Sequence, residues 1–248
     1  MRVTTRVNKA AAGGLAAEER LLAALAEHVK LPLMQIARRS ELARQNGDYE
    51  KHLEIIELTA DTALQLLDSY LLSLHLTHRD AVELQPVSIG ATLDSVAHAL
   101  DRIAKDTGTE LEIRLSGRFE PVLAHPGALE SALVSLGCVL IEAQHTQAAE
   151  TPNPKLMLAA HRSKNGIVTG LYAGIDTLSQ EMLRRGHSLY GRARLAMPEL
   201  SVDSGAGVFV ADSLLSAMAS QLRVSHYHSL SGLAATLAST KQLELVVN

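Results

Sequence analysis

Two heptad patterns of apolar residues, joined across a short turn signal, constrain the first part of this chain more than any other feature. From Ala16 to Gln45, the residues Leu22, Leu25, Val29, Pro32, Ile36 and Ala43 recur at steps of three and four, with Arg39 the polar exception. Asn46-Gly47-Asp48 then marks a turn. Beyond it, Leu53, Ile56, Ala60, Ala63, Leu67, Tyr70 and Leu74 keep an unbroken heptad over three repeats. The spacing predicts two helices folded into an antiparallel hairpin. Each has a continuous apolar seam that a lone hairpin cannot cover, so the economical solution is pairing with a second copy into a four-helix bundle.

The pattern changes at "THRDAVELQPVSI" (77–89), which marks a boundary. "SIGATLDSVAHALDRIAKDTG" predicts a helix ending at Gly108, and "ELEIRLS" alternates as a strand. "EPVLAH" is short and extended, and "PGALESALVSLGCVLIEAQ" predicts a helix with Pro126 at its start. Asn165-Gly166 between apolar runs predicts a hairpin. "LSQEMLRRG" and "GVFVADSLLSAMASQL" follow as helices, and "LAATLAST" and "QLELVVN" as closing strands. The expected fold class is α+β. Residues 1–15 are a flexible N-terminus, 16–80 the dimerisation hairpin and 81–248 an α/β sandwich, one mixed sheet covered by helices.

Composition limits the function classes. Of 248 residues, 47% are hydrophobic, ample for a packed core, while Trp is absent and Phe occurs twice, so that core is built of Leu, Ala and Val. The formal net charge of −4 gives no broad electrostatic reason to bind nucleic acid or a membrane surface. No apolar run approaches roughly 18 residues, so no membrane span is expected, and the first residues lack the apolar core of a secretory signal. One cysteine cannot form an intramolecular disulfide, so a reducing cytoplasm is the expected compartment.

A helical hairpin carrying "AEHVKLPLMQIARRSEL" (26–42), followed by an α/β domain in this order, resembles the dimerisation and ATP-binding core of bacterial two-component sensor histidine kinases. The stretch from "PVSIGATLDSVAHALDRIAKDTG" through "HPGALESALVSLG" is similar to that family's ATP-binding domain as far as its asparagine-box helix. "SGAGVFVADSLLSAMASQLRV" is similar to its second glycine box and following helix. The resemblance covers about Ala16 to Leu245. It implies a homodimer and a partner of the response-regulator receiver type.

Individual motifs depart from the pattern. The family's phosphorylated histidine lies five residues before a helix-kinking proline and is followed by an acidic residue. Counting from Pro32 puts Glu27 at the phosphoacceptor position and His28 at the acidic one. The heptad agrees, placing Glu27 at the exposed f position and His28 at g. The resemblance thus implies loss of the acceptor, with His28 the alternative acceptor. The Mg²⁺-binding asparagine falls at Val139, and Ser135 replaces an earlier asparagine; valine offers no oxygen to a hard cation. In "TGLYAGID", Gly174 and Ile175 are kept, but Gly170 stands where an adenine-binding aspartate is expected. Loss of such a charged hydrogen bond costs about 1.5–3 kcal/mol. Gly205 and Gly207 remain from the second glycine box. ATP and Mg²⁺ are therefore expected to bind weakly or not at all, with Gly174, Gly205 and Gly207 a remnant nucleotide site.

The expected function is that of a degenerate, kinase-like signalling protein that docks a receiver-like partner through Met34, Gln35, Arg38, Glu41 and Thr62, off the apolar seam. The alternatives are a histidine phosphotransferase using His28 without ATP, and a divergent active kinase. No metal site is expected: the pairs His75/His78 and His226/His228, the latter expected on one strand face, lack further clustered ligands. Cys138 is expected in the core. "RRGHSLYGRAR" (184–194), with its four arginines, occupies the region of the family's ATP lid and is expected to be a solvated loop.

Overall fold

The computed structural model describes residues 32–77, 82–146, 153–175, 178–181 and 204–240, together with positions 22, 25, 26, 29, 30 and 183. Helix α1 is helical at every described position from 22 to 46 and stops where Gly47 takes a left-handed φ of 72°, its N–H donating to the carbonyl of Ala43. That conformation is one glycine adopts without penalty. Helix α2 (Tyr49–Thr77) runs back antiparallel, completing the hairpin.

The second part alternates strands and helices as the sequence predicts. After β1 (Gln85–Val87), α3 (Ile89–Thr107) starts at Ser88, whose hydroxyl accepts from the Ala91 N–H. It ends at Gly108, φ 67°, with the Thr109 N–H donating to Ala104 at 2.8 Å, a Schellman-type stop. β2 (Glu110–Leu115) and β3 (Val122–Ala124) precede α4 (Pro126–Thr146), where the imidazole Nδ1 of His125 accepts from the Ala128 N–H at 3.2 Å and caps the helix. β4 (Lys155–Ser163) and β5 (Gly166–Ala173) form the expected hairpin. Its two-residue loop is Lys164-Asn165, because Gly166 already pairs with Ser163. Then come α5 (Ser204–Ala217), β6 (Arg223–Tyr227) and β7 (Leu230–Leu237). The main sheet has the order β2-β4-β5-β7-β6, with β2 parallel to β4 and every other pair antiparallel; β1 and β3 form a separate antiparallel ribbon. This is an α+β sandwich on a mixed sheet.

Period-two alternation divides the sheet's side chains between two faces. Leu156, Leu158, Ala160, Ile167, Leu171, Leu233 and Ala235 belong to the core beneath α3, α4 and α5. Met157, Ala159, Val168, Tyr172 and Ala234 form a smaller cluster on the opposite face, with Tyr227 and Leu230 against it. α4 is buried on nearly every side; a side chain at Gly137 would overlap Leu100 of α3, so the two helices approach closely there. Although Glu130 and Glu142 interrupt it, Pro126–His145 is long and apolar enough to cross a membrane, and most of it lies inside the core.

The hairpin is not free of the sandwich. Tyr70 and Leu76 of α2 join the main core, and the Ser73 hydroxyl donates to Ser213 Oγ of α5 at 2.8 Å. Arg102 of α3 reaches Asp61 (2.8 Å) and Glu57 (3.4 Å) of α2. Within the hairpin, the heptad residues Ile36, Ala43, Ile56, Ala63 and Leu67 are at least partly buried, while Leu22 and Leu53 from the same heptads are exposed. Leu33, Leu53, Leu64 and Leu71 are large apolar side chains left exposed, 60% for Leu64 and 45% for Leu71. The predicted seam is therefore mostly covered in the single chain, while Leu33, Leu64 and Leu71, outside the heptads, are left exposed.

One expectation is corrected by the structure, and several lie outside the described residues. His226 and His228 do not share a strand face: β6 ends at Tyr227, and His228 sits in a turn with φ 52°. The strand "QLELVVN" and part of the helix "LSQEMLRRG" lie outside the described residues, as do the 184–194 segment and His78. Among the described residues no group of three or more His, Cys, Asp or Glu is placed to hold a metal.

Candidate functional site

Glu27 and His28 both lie outside the described residues. The nucleotide positions can be followed. Val139 is 4% exposed on α4, inside a continuous core with Ile175, Leu178, Leu183 and Val208. Ser135, one turn earlier, is buried, and its hydroxyl donates to its own helix at the Ser131 carbonyl, 2.8 Å away. Val139 has no oxygen to offer a hard cation, and the Ser135 hydroxyl is turned to its own helix. Cys138 packs against this core as expected, and burial, with the Glu142 charge beside it, pushes its thiol up to about 12.

Gly170 is on the wrong face for the chemistry. It is flanked in the sheet by Ala159 of β4 and Ala234 of β7, on the side opposite the helices. A Cβ there would sit 2.5 Å from Ala234 Cβ and 2.6 Å from the Leu233 carbonyl oxygen. No aspartate fits, and one placed there could not converge with Val139 on a common ligand, because the sheet separates them. The reason is register: β5 stays extended as far as Ala173, so alternation sends residue 170 away from α4. The residue facing the helices beside it is Thr169, fully buried, with its hydroxyl lacking a hydrogen-bond partner.

The glycines have structural roles. Gly174 is exposed at the tight turn after β5, where the Ile175 N–H donates to Ala173 at 2.9 Å. Gly205 and Gly207 fall inside the first turn of α5, which begins at Ser204, rather than in a loop before it. Of the two positions at which the resemblance expects a cation ligand and an adenine acceptor, one is thus a valine buried in the aliphatic core and the other a glycine on the far face of the sheet.

The hairpin carries the more open feature. Gln35, Arg38, Arg39, Leu42 and Ile55 line a groove of about 400 Å³ between α1 and α2. Two of the five predicted docking residues, Gln35 and Arg38, are thus brought together. Met34 and Glu41 are exposed on α1 but do not line the groove, and Thr62 lies along α2. Arg39, Leu42 and Ile55 were not foreseen. Only Arg39 carried a signal, standing at the one heptad position of α1 that should have been apolar.

No family model matches the chain, and no curated protein matches it in sequence. Solved structures do. The Acinetobacter baumannii histidine kinase AdeS matches with a TM-score of 0.54 at 14% identity, over 85% of this chain and 96% of that one. The catalytic domain of histidine kinase ThkA matches with a TM-score of 0.51 at 10% identity, over 65% of this chain and 99% of that one. Histidine kinase ThkA in complex with response regulator protein TrrA matches with a TM-score of 0.54 at 10% identity, over 88% of this chain and 60% of that one. At such identities the likeness is one of fold, and the chain has the fold of a histidine-kinase core.

Proposed function

We propose that this chain is a two-component-type signalling protein that keeps the kinase-core fold without its nucleotide chemistry, acting as a cytoplasmic homodimer that docks a receiver-like regulatory protein. The observation that carries the proposal is the misfit just described, Val139 in the aliphatic core and Gly170 across the sheet from it. Homodimer formation is supported by the large apolar side chains Leu33, Leu53, Leu64 and Leu71 that the single hairpin leaves exposed. A receiver-type partner is supported by the match over most of this chain to a histidine kinase solved with its response regulator.

Incubation with labelled ATP and Mg²⁺, and separately with labelled phosphoreceiver domains, tests the proposal. The expected result is receiver binding with no label on this protein in either arm. Label acquired from ATP would restore the kinase. Label acquired from phosphoreceivers and lost in His28→Ala would make the chain a phosphotransferase instead.

A further inference from the structure

The main sheet ends on one side at β2, where charged and apolar residues alternate strictly: Glu110, Leu111, Glu112, Ile113, Arg114, Leu115. Among the described residues this strand pairs on one side only, in parallel with β4. The Glu110 N–H donates to the Pro154 carbonyl at 2.9 Å, and the Ser116 N–H to the Ala160 carbonyl at 3.0 Å. Backbone groups along a strand point alternately to its two sides, so Glu112 and Arg114 also turn theirs to β4. The N–H groups of Leu111, Ile113 and Leu115 therefore face outward, where no described strand covers them.

This edge is not blunted in the usual ways. Edge strands are commonly protected by a proline or a bulge, whereas β2 has no proline and keeps an unbroken register with β4 from Glu110 to Leu115. Ile113 and Leu115 are 36% and 45% exposed, although alternation puts them on the face that α3 covers. Leu115 reaches Gly90 of α3, where a Cβ would stand 3.5 Å from its Cδ1, yet both side chains stay open to solvent.

Charge decides what can lie alongside. Two copies of β2 can pair antiparallel about a two-fold axis, the same strand facing itself in reverse. An axis through Glu112 sets glutamate against glutamate, one through Arg114 sets arginine against arginine, and one through Leu111 sets Glu110 against Glu112. Like charges directly opposite are destabilising. Only the axis through Ile113 pairs opposite charges without opposing like ones: Glu112 faces Arg114, Leu111 faces Leu115 and Ile113 faces itself. The outward groups agree with that register. The two Ile113 residues exchange N–H and C=O, and each Leu115 N–H meets the Leu111 carbonyl of the other copy. Glu112 and Arg114 then form a non-hydrogen-bonded pair, where side chains stand closest. Within one chain Glu112 already meets Arg114 and Lys155, and Lys155 reaches Glu110 at 4.0 Å. These four groups carry no net charge, so two such edges meet without overall repulsion.

We infer that β2 is a self-association edge: two copies of this chain join their sheets through antiparallel β2 strands centred on Ile113, separately from the hairpin interface. A contact of one short strand is small and belongs to the weak class, so it forms where copies are crowded and not in dilute solution. Because each copy in the proposed hairpin dimer has its own β2 edge, the contact links dimers into larger assemblies.

Sedimentation velocity of the full chain and of its Leu64→Glu/Leu71→Glu variant, at about 5 and about 300 µM, tests this. The unmutated chain should grow in mass across that range. The hairpin variant should pass from monomer to dimer, through a contact that the hairpin does not supply. Ile113→Lys opposes two ammonium groups at the axis and disturbs no ion pair of the single chain; it should weaken the association at least about tenfold in both. Glu112→Arg and Arg114→Glu should each fail to associate, while an equal mixture of the two regains it, because each then meets opposite charge in the other. Constant mass of the unmutated chain across the range overturns the inference, as does growth that Ile113→Lys leaves intact. So does a mixture of the two charge variants, both with the unmutated circular-dichroism spectrum, that associates no better than either alone.

Discussion

Gly170→Asp, the substitution that writes the missing adenine-binding carboxylate back into the sequence, should fail to build a nucleotide site and should destabilise the protein severely. Two costs add. The new Cβ meets Ala234 Cβ at 2.5 Å, the Leu233 carbonyl oxygen at 2.6 Å and Ala234 Cα at 2.8 Å, and two of those are backbone atoms that cannot rotate aside. Strands β5 and β7 must part, at about 1–3 kcal/mol for overpacking of this kind. The carboxylate then lies among Met157, Ala159, Val168 and Ala234, and leaving it there charged or protonated without a partner costs several kcal/mol more. A combined loss of about 4–8 kcal/mol compares with a whole stability of about 5–15. Gly170→Ala isolates the steric part and should lose about 1–3 kcal/mol. Urea unfolding followed by circular dichroism measures both. For a chain of this length 1 kcal/mol moves Tm by about 2–4 °C, so Gly170→Asp should melt at least about 8 °C lower. A variant that melts within about 2 °C of the unmutated protein, or that gains ATP binding, would refute the packing of Gly170 against β7.

Other outcomes follow from the same packing. Leu64→Glu with Leu71→Glu should give folded monomers in sedimentation velocity, since both side chains are exposed in the single chain and nothing inside it depends on them. Ser73→Cys with Ser213→Cys should close into a disulfide under mild oxidation, because the two hydroxyls already touch across α2 and α5; a pair that stays reduced would place the hairpin away from the sandwich. The Cys138 thiol, held near 12 by burial and Glu142, should react with a disulfide reagent at pH 8 roughly a thousandfold more slowly than a free thiol. His161 is held below its ordinary pKa, first by burial and then by the Arg223 charge. The unfolded chain therefore binds its proton more readily, and this contribution to stability, complete above the unfolded value, is lost as pH falls through it. His161→Phe should flatten the pH dependence of stability on the acid side of neutrality.

The parts of the fold that were legible in the sequence are those fixed by local chemistry. Gly47 and Gly108 stop helices through left-handed backbones, Pro126 opens α4 at the one turn where a missing N–H costs nothing, and Gly166 closes the β4–β5 hairpin. What escaped depends on residues far apart in the chain. Gly170 could be counted from Gly174, but its face depends on how far β5 stays extended beside β7. The heptads located α1 and α2 correctly, yet a heptad marks only that a stripe is covered. Whether Ile56 and Leu67 meet α1 or a second copy depends on the angle between the helices, and Leu64 and Leu71, outside the heptad, are the side chains left exposed. A strand was expected at His226, but its end at Tyr227 was not legible, because "RVSHY" has little apolar alternation, as suits a strand at the edge of the sheet. The groove was half legible. Gln35 and Arg38 were marked as off the seam, but Arg39 interrupts the seam and Ile55 sits on the other helix, so only the folded hairpin joins them.

Titration calorimetry of the unmutated full-length protein with ATP in excess Mg²⁺ is the most direct test of a kinase-core fold that has lost its nucleotide site. Binding is expected in the hundreds of micromolar or weaker, because the cation ligand is replaced by Val139 and the adenine acceptor by Gly170 on the far face of the sheet. A dissociation constant of a few micromolar or tighter, about −7 kcal/mol or more of binding free energy, would contradict it and return the chain to the kinases.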